Sequence, residues 1–425
     1  MQSDVVRGAF ERVAGAEEPA QDLAPEARTH EAANGLRHVI SLSMTKVSDG
    51  LIDPKLMLSW LLTSLGAPAI YAGALVPIRE SGALLPQIAL AGRVEQMRYR
   101  KWAWVVGSAG QGAFAALIVL AALTLDGAAV GFAICAALAG LALCRAACSV
   151  SFKDILGKTV GQARRGAITG LAGTISSAGV VLLALLLMTG IFQSKGIVIA
   201  AIALAAVLWG LAALVFSTLY EVASDKTENL GVRFAILKED ANLRRFILVR
   251  GLLVATALAP PYLVVLGGAG DSALGQLGAL VFASAMASFL SSYVWGRLSD
   301  VSSRKVLMLT GIVGAVAMSA AVALSWAGLA GQVWAMPTVL FVLMIAYHGV
   351  RQGRSTYLVD ISPPDHRSTY AALANAVIGA LLLGAGVLGG GAALLGPEAT
   401  LILFAVMALA ATTVARGLDE AETSD

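Results

Sequence analysis

Two arginines occupy positions where arginine is costly. Arg145 lies within the apolar stretch AAVGFAICAALAGLALCRAACSVSF, and Arg351 within VLFVLMIAYHGVRQG. Each precedes an aspartate by nine residues, Asp154 and Asp360 respectively. At 1.5 Å per residue that is roughly 13 Å, close to the middle of a bilayer core if those aspartates mark its edge. A guanidinium stays charged and presents a planar fork of donors to a carboxylate or phosphate. Two of them facing each other across a cavity point to an anionic ligand; the alternative is that each pairs with a protein carboxylate and holds helices together. Tyr347 and His348 precede Arg351 by four and three residues and share its helical face. Gln87 and Asn375 are neutral polar residues in apolar surroundings, suited either to ligand binding or to hydrogen bonds between helices. Arg250 sits near the start of its apolar run, within snorkelling distance of the interface.

A second pair is Arg79-Glu80. Glu80 precedes Gln96 by 16 residues, roughly 24 Å along a helix. That places it in the outer half of the membrane, or in an outer turn that Pro77 and Gly82 permit. A span-buried carboxylate that gains and loses a proton, breaking a pair with Arg79, has the chemistry needed for proton coupling. Other chemistry is lacking. The four histidines show no metal-ligand spacing, and no nucleophile-base set or phosphate-binding GxxxxGK[ST] loop occurs, so neither an enzyme nor a cofactor or metal is expected. Cys144 and Cys148, one turn apart in an apolar run, are expected to pack and not to bridge.

These residues need elements that cross a membrane. The chain has 425 residues, 58% hydrophobic and 13% charged, with mean hydropathy +0.78. That excludes a soluble enzyme, a secreted disulfide scaffold, a nucleic-acid binder and a disordered chain. A net charge of +3 implies no polyanionic partner. Runs long enough to span a bilayer fall near 54–71, 73–97, 101–125, 127–152, 165–191, 195–220, 245–267, 272–298, 304–328, 331–357, 367–394 and 397–416. Residues 1–50 read as an acidic tail in which Leu36, Val39, Ile40, Ser43, Met44 and Val47 form a helix lying on the membrane surface. Asp53-Pro54 then starts the first span. Seventeen Lys and Arg fall in and beside the loops of one side, and Lys195 alone on the other. By the positive-inside rule both termini and the central loop 221–244 are cytoplasmic. The expected domains are a tail (1–50), an N-terminal six-helix bundle (51–220), the loop (221–244), a C-terminal bundle (245–417) and a short tail (418–425).

The halves echo one another. GRVEQMRYRK (92–101) and GRLSDVSSRK (296–305) share Gly, Arg and the closing Arg-Lys at an offset of 204. Arg145, Ser149 and Asp154 recur as Arg351, Ser355 and Asp360 at an offset of 206. Parallel repeats of this kind enclose a site near the midplane and rock about it. With twelve spans and a polar central loop, the chain resembles the major facilitator superfamily, whose signature Gly-x-x-x-Asp-x-x-Gly-Arg-Lys is matched by Gly296, Asp300, Arg304 and Lys305, with Ser303 replacing the second Gly. In the first half Gly92, Arg100 and Lys101 match, with Gln96 in place of the Asp and Tyr99 in place of the Gly. The resemblance implies an all-α polytopic membrane protein of two pseudo-symmetric six-helix bundles. It implies a cytoplasmic latch at Gly92, Gln96, Arg100, Gly296, Asp300, Arg304 and Arg367. It further implies a secondary transporter of a small molecule; on the residue reading above, Arg145, Arg351, His348, Tyr347, Gln87 and Asn375 are the candidate substrate contacts and Glu80 with Arg79 the candidate proton-coupling pair. The expected partners are the small-molecule substrate and the lipid bilayer, with no nucleic acid; the expected state is a monomer in a bacterial-type inner membrane. Efflux of an amphipathic compound, and a non-transporting scaffold or sensor, are the competing readings.

Overall fold

The computed structural model describes residues 4–14, 20, 23–189, 194–224, 239–268, 273–362 and 367–420. Most of the central loop, 225–238, lies outside the described residues. Two short helices, α1 (Asp4–Ala14) and α2 (Pro25–Arg28), precede the bundle. The first half then contains α3 (Glu31–Leu51), α4 (Met57–Ser64), α5 (Ala69–Leu84), α6 (Pro86–Glu95), α7 (Lys101–Thr124), α8 (Gly127–Thr159), α9 (Gln162–Met188) and α10 (Lys195–Ser217). The second contains α11 (Ala241–Leu253), α12 (Ala255–Leu258), α13 (Pro260–Gly267), α14 (Ala273–Trp326), α15 (Ala335–Ile361), α16 (Arg367–Ala393) and α17 (Pro397–Ala415). Helices predominate because in lipid each backbone N–H and C=O must be satisfied within its own segment. Taking α3–α4, α5–α6 and α11–α13 each as one interrupted segment, and dividing α14 at Ser302, whose backbone is non-helical, gives twelve segments.

The largest departure from the sequence reading is the first segment. Glu31–Leu51 is not a helix set apart on the membrane surface; it packs between α9 and α10. Its polar residues face inward. Asn34, His38, Ser41 and Ser48 are buried, with His38 Nε2 2.8 Å from Thr159 Oγ1 and Asn34 Nδ2 donating to the Tyr220 carbonyl at 2.8 Å. Ser48 Oγ donates to the Ala205 carbonyl at 3.0 Å, whereas Ile40 is 45% exposed. The first segment therefore begins near residue 31, and Asp53-Pro54 marks a break within it and not its start. Pro260 breaks the seventh segment at the same offset of 206 that relates Arg145 to Arg351. Upstream, α1 docks on α3 and α9 with Phe10 buried against Val39, Ile168 and Ala172. Glu31 there receives Arg164 Nη1 at 2.6 Å.

Small residues set the close contacts. A Cβ at Gly107 would lie 2.7 Å from both the Cys144 carbonyl and Cys148 Sγ, so the cysteines pack, and all three are free thiols. The two halves meet at the end that carries the short loops. There Gly386 of α16 admits Pro77, and Gly278 of α14 sits against Ala184 and Met188 of α9, while Gly379 admits Leu85 nearer the middle of the bundle. Gly73 of α5 receives the Tyr262 ring of α13.

Candidate functional site

At residues 52–56 the first segment stops being helical and restarts. Pro54 cannot donate a backbone hydrogen bond. Asp53 Oδ1 takes the N–H groups of Lys55 and Leu56, at 2.6 and 3.2 Å, and so caps the second part of the segment. The break gathers charge. Asp49, on the last turn of α3, accepts from Arg79 of α5 at 2.6 Å and also from Arg145 of α8. Lys55 is 8% exposed and places Nζ 3.7 Å above the Tyr347 ring of α15. Lys46 donates to the Thr169 carbonyl of α9 at 2.9 Å.

Between the halves lies a cavity of about 1180 Å³. It is lined by α3–α4 (Gly50, Asp53, Lys55, Met57), by residues 174–181 of α9, by residues 281–294 of α14, and by Met344, Tyr347, His348 and Arg351 of α15. These stretches lie on the Lys/Arg-rich side of the inter-half contacts at Ala184, Met188 and Gly278. The cavity is therefore sealed toward the short loops. A second pocket of about 40 Å³ shares Tyr347 and Arg351 with it and adds Glu80, Arg250 and Arg354.

The structure thus brings Tyr347, His348 and Arg351 together on one wall, as their spacing predicts. It separates the two pseudo-symmetric arginines in environment. Arg145 is engaged by Asp49 and does not line either pocket, whereas Arg351 has no carboxylate partner among the described residues. Arg79 and Glu80 lie within α5, which begins at Ala69, and not in an outer turn. Arg79 is buried on Asp49; Glu80 makes no ion pair at contact distance among the described residues and feels Lys55, Arg79 and Arg145 electrostatically. Gln87 returns its amide to the Ala83 carbonyl at 2.6 Å and lines neither pocket. Asn375 accepts from Arg250 Nη2 at 3.0 Å. Arg250 is 6% exposed, so it does not snorkel.

Of the expected latch residues, Arg100 and Arg304 are paired within their own halves. Arg100 is buried; its guanidinium meets Asp154 at 2.7 Å and the Glu95 carbonyl at 3.2 Å. Asp154 supplies the carboxylate that Gln96, which is exposed, cannot. Glu221 accepts the N–H groups of Arg100 and Lys101 at 3.0 and 2.8 Å. Burial pushes its carboxyl up, and these two donors hold it down. Gly92 lies in α6. Arg304 is paired with Glu420 at 2.5 Å and donates to the Leu418 carbonyl at 3.1 Å, an acceptor set drawn from the C-terminal stretch. Gly296 and Asp300 fall within α14 and Arg367 opens α16, but their side chains lie outside the described residues.

Sequence reasoning missed Lys46, Asp49, Asp53 and Lys55. A signal was present: residues 46, 49 and 53 fall on one helical face, continuing the polar face of His38 and Ser41.

No family model and no curated protein matches the chain. Solved structures do match. The nucleoside transporter NupG superposes with TM-score 0.69 at 13% identity, over 90% of this chain and 98% of that one. A D-xylose-proton symporter superposes at 0.66 and 13%, over 92% and 99%. A bacterial homologue of the iron transporter ferroportin in its inward-facing state superposes at 0.65 and 15%, over 90% and 98%. The chain has the fold of the major facilitator transporters: an all-α, multi-pass membrane architecture of two six-segment halves.

Proposed function

We propose that this protein is a secondary active transporter that carries a small organic anion by alternating access, with a proton as the coupling ion. The observation that carries the reading is the cavity between the halves, sealed at one end, with Arg351, Lys55 and His348 on its walls. Around the cavity and its side pocket, Lys46, Lys55, Arg79, Arg145, Arg250, Arg351 and Arg354 outnumber the carboxylates of Asp49, Asp53 and Glu80. An interior with surplus positive charge favours an anionic ligand as its counter-charge. Arg145, bound to Asp49, serves in this reading as scaffold, and Arg351 as the ligand contact. Glu80 is the coupling group: protonation removes a carboxylate that competes with the substrate for the same guanidiniums.

With both termini on the cytoplasmic side, the Lys/Arg-rich end faces the cytoplasm, and a cavity sealed at the opposite end is inward-facing. The protein then works as a monomer in a bacterial-type inner membrane. A second reading, efflux of an amphipathic compound, draws support from the apolar walls supplied by Met57, Val281, Met286, Phe289 and Met344.

The test is flux of radiolabelled aliphatic carboxylates into proteoliposomes holding the full chain, with and without an imposed pH gradient. Uptake that follows the gradient and carries protons with it is expected. Uptake of neutral amphipaths in preference to carboxylates, indifferent to the gradient, would favour the second reading. Absence of flux for both would refute transport of these classes.

A further inference from the structure

The small side pocket is more demanding than its size implies. Arg250 comes from α11, and Arg351 and Arg354 come from adjacent turns of one face of α15. Only 6% of Arg250 is exposed, and Arg354 lies close enough to act on it electrostatically. The Arg250 Nη2 is held by Asn375, while its Nε is buried with no acceptor. Three guanidiniums thus converge on about 40 Å³ in which Glu80 is the one carboxylate. Glu80 forms no contact-distance pair with any of them among the described residues. Arg351 is open to the adjoining cavity and Arg354 is half-buried, but Arg250 is buried with an Nε that has no acceptor, and a cation so held is stabilised when something anionic completes its site.

The geometry also fixes the shape of that anion. The pocket joins the large cavity through Tyr347 and Arg351, which line both. On the cavity side of that junction Met57, Val281, Met286, Phe289 and Met344 supply apolar wall, beside the hydroxyls of Thr174, Ser176, Ser177, Ser284 and Ser288. A ligand filling both spaces has an acidic head of a few atoms and an apolar body.

We propose that Arg250, Arg351 and Arg354 form an oxyanion subsite for the head of an amphipathic organic anion, either a carboxylate or a phosphate monoester, whose apolar body occupies the central cavity. This deepens the transport reading and rests on it only for the steps after binding. Arg250 donates from Nε, held in orientation by Asn375; Arg351 bridges head and body; Arg354 completes the fork. The pairing is of the bidentate type that guanidinium makes with carboxylate and phosphate, and a lysine at these positions would keep the charge but lose the fork.

The experiment is isothermal titration of the full chain in lipid nanodiscs with octanoate, octyl phosphate and the neutral octanamide. Both anions are expected to bind, and octanamide to bind at least about tenfold more weakly, because it brings no charge to the guanidiniums. Arg250→Lys and Arg354→Gln should each weaken anion binding about tenfold and leave octanamide unchanged. Equal affinity of wild type for octanoate, octyl phosphate and octanamide would overturn the subsite, and so would failure of both anions to bind. Wild-type anion affinity in both variants would overturn it as well. Should either variant not fold, the wild-type comparison of anion with amide still decides. A preference for octanoate over octyl phosphate, or the reverse, names the head group. Anion binding that survives while proteoliposome flux is absent would sink transport and leave the subsite standing. Octanoate flux unchanged in both variants would do the opposite.

Discussion

Asp49→Asn is the sharpest perturbation of the charged break. The carboxylate holds Arg79 from α5 and Arg145 from α8, so it ties three segments of the first half together. Asparagine preserves the shape and one carbonyl acceptor but removes the charge, leaving two guanidiniums facing each other. Arg79 has a side chain 8% exposed, so its charge has little access to water; Arg145, at 35%, is partly relieved by solvent. Removing one partner of a buried pair costs about 3–5 kcal/mol. The retained amide contact and the exposure of Arg145 reduce this to about 2–3 kcal/mol. The assay is thermal melting of the purified protein, together with a double-mutant cycle with Arg145→Gln. In the Asp49→Asn background, deleting the Arg145 charge should cost less than in wild type, with a coupling of about 1–2 kcal/mol. If Asp49→Asn melts as wild type, or the two substitutions add without coupling, Asp49 is not what holds the two arginines, and the separation of Arg145 from Arg351 loses its basis.

Arg145→Lys should lower the melting temperature and leave octanoate affinity within about twofold, whereas Arg351→Lys should weaken octanoate about tenfold at an unchanged melting temperature, since lysine keeps the charge and loses the fork; titration and melting of each single variant check the pair. Glu80→Gln should abolish uptake driven by a pH gradient yet retain substrate exchange at equal pH, measured in proteoliposomes; gradient-driven uptake at the wild-type rate would remove Glu80 from coupling. Gly386→Leu puts a side chain where a Cβ already lies 2.4 Å from Pro77; it should prise the halves apart at the short-loop end. A cysteine at buried Val76, in a background without the native thiols, should then label faster with maleimide, and unchanged labelling would show that this contact is not the seal.

Spans two to twelve were legible as apolar runs, and the first segment was not. Eight helices among the described residues are long and apolar enough to cross a membrane, and they include α7, α8, α10 and α17. The segments outside that group are α3–α4, α5–α6, the first part of α14, and α15. They line the cavity or its side pocket, but so do α9, α11 and α16 of the eight, and the first part of α14 is apolar though shorter. Hydropathy detects a helix by the face it shows to lipid, so the first segment, which turns a polar face into the bundle, reads as though that face met water. Glu31–Leu51 has the amphipathic period that its sequence shows, but the polar side points into the bundle, and reading it as an interfacial helix inverts the assignment. The same inversion hid Asp49. At the offset of 206 that carries Arg145 onto Arg351 and Pro54 onto Pro260, Asp49 falls on Ala255; at the offset of 204 that relates spans two and eight, Arg79 falls on Ala283 and Glu80 on Ser284. The duplicated frame repeats the arginine but not its carboxylate. One guanidinium is therefore paired within the first half, while its counterpart lies on the cavity wall without a carboxylate partner among the described residues. The repeat was readable from spans two, four, eight and ten; extending its offset back through residues 46–55 exposes the asymmetry that makes one member of the pair a strut and leaves the other available to a ligand.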